Sequence, residues 1–535
     1  MDEKKTAKQQ SFLQGAAMLA AATIIVKIIG AIYKIPLLGI IDDKGYGYFT
    51  TAYDFYSVLL MISTTGLPVA MSRMTSEARA LGNYAQIRKI FSTALRVFLV
   101  LGIVGSLGML IFSRQLSVMI TTYDTSWAAI AALAPSVLFI CIISAFRGFF
   151  QGQSNMAPTS VSQVFEALCK LFIGLGLAVL VMRLTGDLTL GAGGAILGVT
   201  VGCVVSAFYL WRCYRKASRT LPTGGTAKST GATMRQLLAI AIPITIGSAG
   251  LQIINLVDTM VYMRRLSGAA TLVQDYVEHL KGIYNFGQTM FNLPCALITP
   301  ITISIIPAIT AHLTLKEGKN AALVESSAMR ITGLVAMPCA FGFISLAQPI
   351  MYLFNYRGSD LQVAGNIMMY LGAAVIFNSL VLVTNAMMQA HGDVTTPVIN
   401  MIIGGVVKVI ANYFLVVIPS LYIAGAAIGT LICYAMITLL NVVAMYRKKI
   451  LDISCMKSLF KPFLAGLLMG AVTYMAYGVL ESVLGAPKLA CLGAIAVAVV
   501  VYVILVYAFK IITYDDCMLL PGGEKLAKLL RVREK

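Results

Sequence analysis

Charge is what this sequence has little of. Only 12% of its 535 residues are Asp, Glu, Lys or Arg, against 59% hydrophobic residues. A soluble globular domain carries about 25% charge, and a soluble fold has no way to bury so much apolar surface, so that class is excluded. Histidine is scarcer still: His279, His312 and His391 are the full set and lie too far apart to suggest a ligand group. The ten cysteines fall singly, with no CxxC and no Cys/His cluster, which indicates neither a metal site nor a disulfide framework. There is no nucleophile with its base, no Walker loop and no dinucleotide fingerprint. Membrane-embedded enzymes usually display a cluster of polar catalytic residues, and none stands out. The expectation is a protein that is not an enzyme and uses no cofactor.

What is present in abundance is apolar length. Runs of about 20 residues, each able to cross a bilayer as a helix, recur from Phe12 to Ile512. They fall near 11–36, 46–70, 88–112, 127–151, 157–182, 189–212, 236–261, 282–311, 327–354, 364–390, 395–418, 421–446, 459–482 and 488–512, fourteen in all. The fold class is therefore an all-α polytopic membrane protein. The first run continues well past the ~7–15 apolar residues of a signal peptide and reads as a retained helix. Pro243, Pro294, Pro300, Pro307 and Pro338 sit inside apolar runs and read as kinks tolerated in a packed bundle.

The charges that remain are lopsided, 41 basic against 22 acidic. Placed on the fourteen segments, 27 Lys and Arg fall on the side of the N-terminus and 8 on the other. Lys and Arg near helix ends favour the cytoplasm, so both termini are expected there. The net charge of +19 then reads as an orientation signal and an affinity for anionic membrane lipids. A nucleic-acid partner would need a basic soluble domain, and no segment offers one. Six cations lie within helices or near their ends: Lys27, Lys34, Arg96, Arg147, Lys170 and Lys408.

Internal repetition organises the chain. "STALRV" at 92–97 matches "SSAMRI" at 326–331, and each follows a loop with a glycine and an asparagine. "QGQSNMAPTSVSQVFEALCK" at 151–170 matches "QAHGDVTTPVINMIIGGVVK" at 389–408. The matches occur in the same order, six helices apart, so helices 1–6 and 7–12 read as two copies of one unit in the same orientation. Such parallel repeats are a transporter arrangement. The expected organisation is an N-lobe at 1–219, a cytoplasmic linker at 220–235, a C-lobe at 236–446, helices 13 and 14 within 447–512, and a basic cytoplasmic tail at 513–535.

With these segments in view the chain resembles a known family. "FLQGAAMLAAATIIVKIIGAIYKIPLLG" (12–39), "GYGYFTTAYDFYSVLLMISTTGLPVAMSRMTSEARALGN" (45–83) and "FRGFFQGQSNMAPTSVSQVFEALCK" (146–170) look like the polysaccharide-transporter branch of the MOP flippase superfamily. Within it they are similar to MurJ/MviN-type lipid II flippases and the stage V sporulation protein B group. The resemblance implies two pseudo-symmetric six-helix lobes plus two C-terminal helices, in a bacterial cytoplasmic membrane. It implies alternating access moving an undecaprenyl-diphosphate-linked saccharide outward, with lipid II as the foremost cargo and another lipid-linked polysaccharide precursor as the alternative. The partners implied are a lipid-linked oligosaccharide and cell-wall or sporulation synthesis machinery. Lys27 matches a cavity-facing arginine of the family's first helix. The family's second arginine of that helix falls at Tyr33, beside Lys34, and its second-helix arginine has no basic counterpart in "YSVLLMISTTG".

Depth selects the candidate site residues. From a start near Ser11, Lys27 lies ~24 Å into its helix, past the midplane, while Lys34 is close enough to the surface to snorkel. A lysine at a helix centre costs roughly 2.5–3.5 kcal/mol, so Lys27 should face a partner, with Asp54 a candidate, or a wet cavity. Lys170 and Lys408 are repeat equivalents ~18 Å into their helices, and two such cations suit a diphosphate. Glu166, four residues before Lys170, could neutralise it; the segment 395–418 around Lys408 contains no acid. Arg147 either snorkels or meets an incoming headgroup. Arg264 and Arg265 follow Asp258 at the end of the seventh helix and could face the cavity. Substrate-binding candidates are thus Lys27, Lys34, Arg147, Lys170, Lys408, Arg264 and Arg265, with Asp54, Glu166 and Asp258 for ion pairing or coupling. A cation-coupled multidrug antiporter would need mid-membrane carboxylates instead. A membrane scaffold would tolerate replacement of the deep lysines.

Overall fold

The computed structural model describes residues 3–153, 155–222, 224–268, 273–315, 317–450, 455 and 457–513. The expected basic tail lies outside the described residues from 514 onward. Among the described residues every regular element is helical. A helical run from Glu3 to Met61 is interrupted at Asp42 (φ 53°, ψ −179°). Sixteen residues of straight helix would separate Tyr33 from Phe49 by ~24 Å, yet their ring centroids are 5.9 Å apart, so the chain reverses there. The first arm, α1, is 3–41. The second, α2, is 43–80 and contains a π-turn at Ile62–Gly66 before Leu67–Ala80.

The remaining membrane-length helices are α3 (Tyr84–Ile111), α4 (Trp127–Gly152), α5 (Ala157–Thr185, with a π-turn at Lys170–Gly174), α6 (Leu188–Thr220) and α7 (Thr230–Ser267). They continue with α8 (Gln274–Thr314), α9 (Gly318–Ser345), α10 (Gly358–Ala390), α11 (Thr395–Leu415), α12 (Ala424–Arg447), α13 (Phe460–Leu484) and α14 (Pro487–Ala508). Each of the fourteen expected segments falls on one of these. Their starts are marked by capping side chains. Asn83 accepts from Gln86 N at the head of α3, Asp187 from Thr189 N at α6 and Ser229 from Ala232 N at α7, each satisfying an amide the helix leaves open. Helices α8 and α9 begin eight and nine residues before the apolar runs they contain, because "QDYVEHLK" and "GKNAALVES" are helix formers too polar to register as membrane segments.

Packing divides the chain into two compact units, Met1–Gly282 and Ile283–Lys535. The division falls inside α8, and α7 packs in the first unit on α2 and α3. In the first unit α4 is the hub, packed on α2, α3 and α6, with α5 laid on α6 and α1. The small residues of "GAGGAILG" serve this packing. A Cβ on Gly198 of α6 would come within 2.3 Å of Gly174 Cα in α5, so the two backbones meet where only glycine fits. In the second unit α10 packs on α9 and α12, α11 on α12, and α13 on α9 and α14.

Candidate functional site

Four of the sequence-selected residues line one cavity. Helix α1 contributes Thr23, Val26, Lys27, Ile29, Gly30 and Tyr33, and α5 contributes Gln163, Glu166, Ala167 and Lys170. The α5 set follows the i, i+3, i+4, i+7 spacing of a single helix face, as do Thr23, Val26, Lys27 and Gly30 of α1. Leu60 and Thr64 of α2, Ile140 and Arg147 of α4, and Val199 and Cys203 of α6 complete walls around about 480 Å³. All of these residues belong to the first unit.

The charges in the cavity are organised differently from the sequence expectation. Glu166 Oε1 lies 2.7 Å from an Arg147 terminal nitrogen, and Arg147 also donates to Ser162 Oγ at 3.1 and 2.9 Å. The carboxylate expected to neutralise Lys170 is therefore the ion-pair partner of Arg147, reached across the α4–α5 contact. Arg147 is held inside the unit by this pair, with 13% of its side chain exposed. Lys170 Nζ instead sits over three rings, 4.9 Å from the Tyr33 centroid, 4.8 Å from Tyr53 and 5.6 Å from Phe49. An aromatic cage of this kind stabilises a cation through the ring faces without cancelling its charge. Tyr33 is anchored in turn by its hydroxyl, which donates to Ala195 O at 3.3 Å. Lys34 is close enough to act electrostatically on Lys170 but does not line the cavity. Gln163 Oε1 is buried with no hydrogen-bond partner among the described residues, leaving one acceptor for an entering donor.

The other candidates lie elsewhere. Asp54 pairs with Lys281 Nζ at 3.1 Å. Lys281 is a fully buried side chain that also donates to Thr51 Oγ1 at 2.5 Å. Three residues earlier, buried Glu278 accepts from Tyr48 at 2.6 Å and from Thr125. Lys44–Asp275 at 2.9 Å and His279–Asp43 at 3.8 Å extend the same seam between the first turns of α8 and the start of α2. The signal that could have revealed it is the cluster Asp275, Glu278, His279 and Lys281 just ahead of the eighth apolar run, with Asp43 and Lys44 just ahead of the second. Asp258 is buried within α7, and Arg264 and Arg265 occupy its last turn. Lys408 is in the second unit, half-buried on α11 and electrostatically coupled to Tyr434. It is thus not among the charges of the 480 Å³ cavity.

Comparison with known proteins agrees with this architecture. Three proteins of Bacillus subtilis (strain 168) are similar along most of their length: the membrane protein YabM (26% identical, 100% of this chain and 99% of that protein), stage V sporulation protein B (26%, 96% and 98%), and the lipid II flippase MurJ (28%, 79% and 80%). Among solved structures, the lipid II flippase MurJ in an inward closed conformation matches with a TM-score of 0.68 at 15% identity, over 95% of this chain and 99% of that one. A family model described as polysaccharide biosynthesis protein matches residues 12–312. The chain is a multi-pass helical membrane protein of the polysaccharide biosynthesis protein family.

Proposed function

We propose that the protein is a flippase that carries a diphosphate-linked saccharide on a polyprenyl lipid across the bacterial cytoplasmic membrane, with the peptidoglycan precursor lipid II as its cargo. The observation that carries this reading is the convergence of Lys27, Arg147 and Lys170 on one cavity whose described lining holds one carboxylate, Glu166, bound to Arg147. A cavity with three cations and one anion favours an anionic ligand, and lysine serves phosphate as a point charge. Its volume of about 480 Å³ lies in the range of small-molecule sites and suits a diphosphate with the sugar next to it. Gln163 Oε1 offers an acceptor for a sugar hydroxyl. Similarity to a lipid II flippase and to a sporulation protein supports the same class of cargo.

In this reading both termini face the cytoplasm, and the inward-open state admits the diphosphate to Lys27 and Lys170. Partial neutralisation of these charges lowers the cost of closing the cavity, and release outside restores it. Lys408 retains a role on the strength of the repeat that makes it the equivalent of Lys170. The work done is transport and not bond chemistry. A cation-coupled antiporter fits less well, since it would need uncommitted carboxylates where the cavity presents lysines.

One observation favours a second cargo, another undecaprenyl-diphosphate-linked polysaccharide precursor. The family's second first-helix arginine is replaced here by Tyr33, which serves the Lys170 cage. Purified full-length protein should bind lipid II selectively over a teichoic-type undecaprenyl-diphosphate sugar, and Lys27→Gln/Lys170→Gln should weaken that binding at least tenfold. Preference for the teichoic-type lipid with the same lysine dependence would change the cargo and keep the mechanism. No binding of either lipid would refute both.

A further inference from the structure

The second unit contains a cavity that the proposed transport does not use. It lies where α8 ends, α9 begins, and α10 and α12 end, and it encloses about 760 Å³. At its base Glu325, 3% exposed, has Oε1 2.7 Å from His391 Nε2, so carboxylate and imidazole satisfy one another. On its rim stand Arg447 and Lys449. Both are exposed, and among the described residues neither side chain has an ion pair or hydrogen bond. The intervening Lys448 is engaged elsewhere, with Asp393 Oδ2 at 2.6 Å and Thr396 Oγ1 at 2.9 Å. Lys449 adopts a left-handed backbone (φ 55°) that stops α12 and keeps both rim cations at the cavity.

Helix ends contribute about half a charge each. The N-terminus of α9 adds to the rim cations, and the C-termini of α8, α10 and α12 subtract. The four ends sum to about one negative charge, which with Glu325 roughly balances Arg447 and Lys449 when His391 is neutral. The site therefore rests on the separation of the two cations at the rim from a carboxylate held at the base by His391. The first turns of α9 present Gly318, Ala321 and Ala322, small residues that leave its open amides reachable.

The internal repeat sharpens the point. The match of 92–97 to 326–331 sets Glu325 opposite Phe91. In the first unit that position is packed solid, with Phe91 stacked on Tyr214 at 4.1 Å and edge-on to Phe149 at 5.4 Å. The same place in the second unit is hollow and charged.

We propose that this cavity is a binding site for a phosphate ester, gripped by Arg447 and Lys449 over the Glu325–His391 floor. An anionic phospholipid headgroup and a soluble phosphate ester share this chemistry. The test titrates full-length protein in detergent with phosphatidylglycerol, followed by native mass spectrometry, and separately with glycerol 1-phosphate, followed by calorimetry. Three variants accompany the parent: Arg447→Gln/Lys449→Gln, the cavity-filling Ala322→Phe, and Arg215→Gln/Lys216→Gln as an exposed basic control pair at the end of α6.

Saturable binding in at least one arm is expected, weakened about tenfold or more by the rim pair, as loss of charge-assisted hydrogen bonds implies. Ala322→Phe should weaken it comparably with both cations intact, and the control pair by less than about threefold. The arm that saturates identifies the source of the ester. Absence of saturable binding in both arms, equal weakening by the rim and control pairs, or full binding by Ala322→Phe would overturn the proposal.

Discussion

Asp54 and Lys281 allow a sharp test of how the first unit is held together. The pair is 3.1 Å long, with 2% of the lysine side chain and 26% of the aspartate exposed. Removing one partner of a buried pair costs about 3–5 kcal/mol, chiefly because the other charge is left without compensation. For Asp54→Asn the stranded charge is the fully buried ammonium, with Thr51 as its remaining neutral partner. The expected cost is near the lower end, about 3 kcal/mol. Lys281→Met leaves a carboxylate that water can reach, so it should cost less, about 1–2 kcal/mol. The double variant removes both charges and should recover much of the loss, giving a coupling energy of about 2 kcal/mol. Reversible unfolding of the four proteins in bicelles by steric trapping supplies the double-mutant cycle. If Asp54→Asn stayed within ~0.5 kcal/mol of the parent, or if the double variant fell by the sum of the single losses, the pair would not be a coupled element of the fold.

Other outcomes follow from the same structure. Glu166→Gln removes the one carboxylate among the described residues that line the cavity, so diphosphate-lipid binding should hold or tighten, whereas Lys170→Gln should weaken it about tenfold; equal weakening by both would refute the charge argument. Gly198→Ala places a methyl 2.3 Å from Gly174 Cα and 2.4 Å from Gly174 N. Since both obstacles are backbone, it should destabilise by ~1–3 kcal/mol, visible as an earlier thermal transition in detergent. Outside the membrane, burial pushes the Asp393 carboxyl up, but hydrogen bonds from Lys448 and Thr396 hold it below its ordinary value of 3.8. Its stabilising contribution is complete above that value and is lost as pH falls through the lower folded one. Asp393→Asn should therefore flatten the acid limb of a stability–pH curve and leave its neutral portion parallel.

The helices were legible because a bilayer imposes one length on every crossing, and about 20 apolar residues stand out in any sequence. Lys27 and Lys170 were legible for the same reason, since a cation at mid-membrane is costly enough to need a purpose. Partners were not legible. Glu166 and Lys170 share a face of α5, but the guanidinium of Arg147 reaches Glu166 across the α4–α5 packing, a contact that no periodicity encodes. The burial of Lys281 was not legible because the eighth apolar run begins at 282, whereas α8 begins at Gln274 and buries that lysine against α2. The aromatic cage draws Tyr33 from α1 and Phe49 and Tyr53 from α2, and only the reversal at Asp42 makes them neighbours.

The π-turn that opens at Lys170 bears on how this chain can be compared with its relatives. A turn of five residues closed by an i→i+5 hydrogen bond holds one residue more than the α-turn it replaces. Set without a gap against a homologue that has plain α-helix there, every residue beyond 170 is carried about 100° round the axis. Positions facing the cavity in one protein would then be scored against positions facing lipid in the other. Functional residues transferred along α5 require a one-residue gap within 170–174, and the aromatic cage of Lys170 marks the point where it belongs.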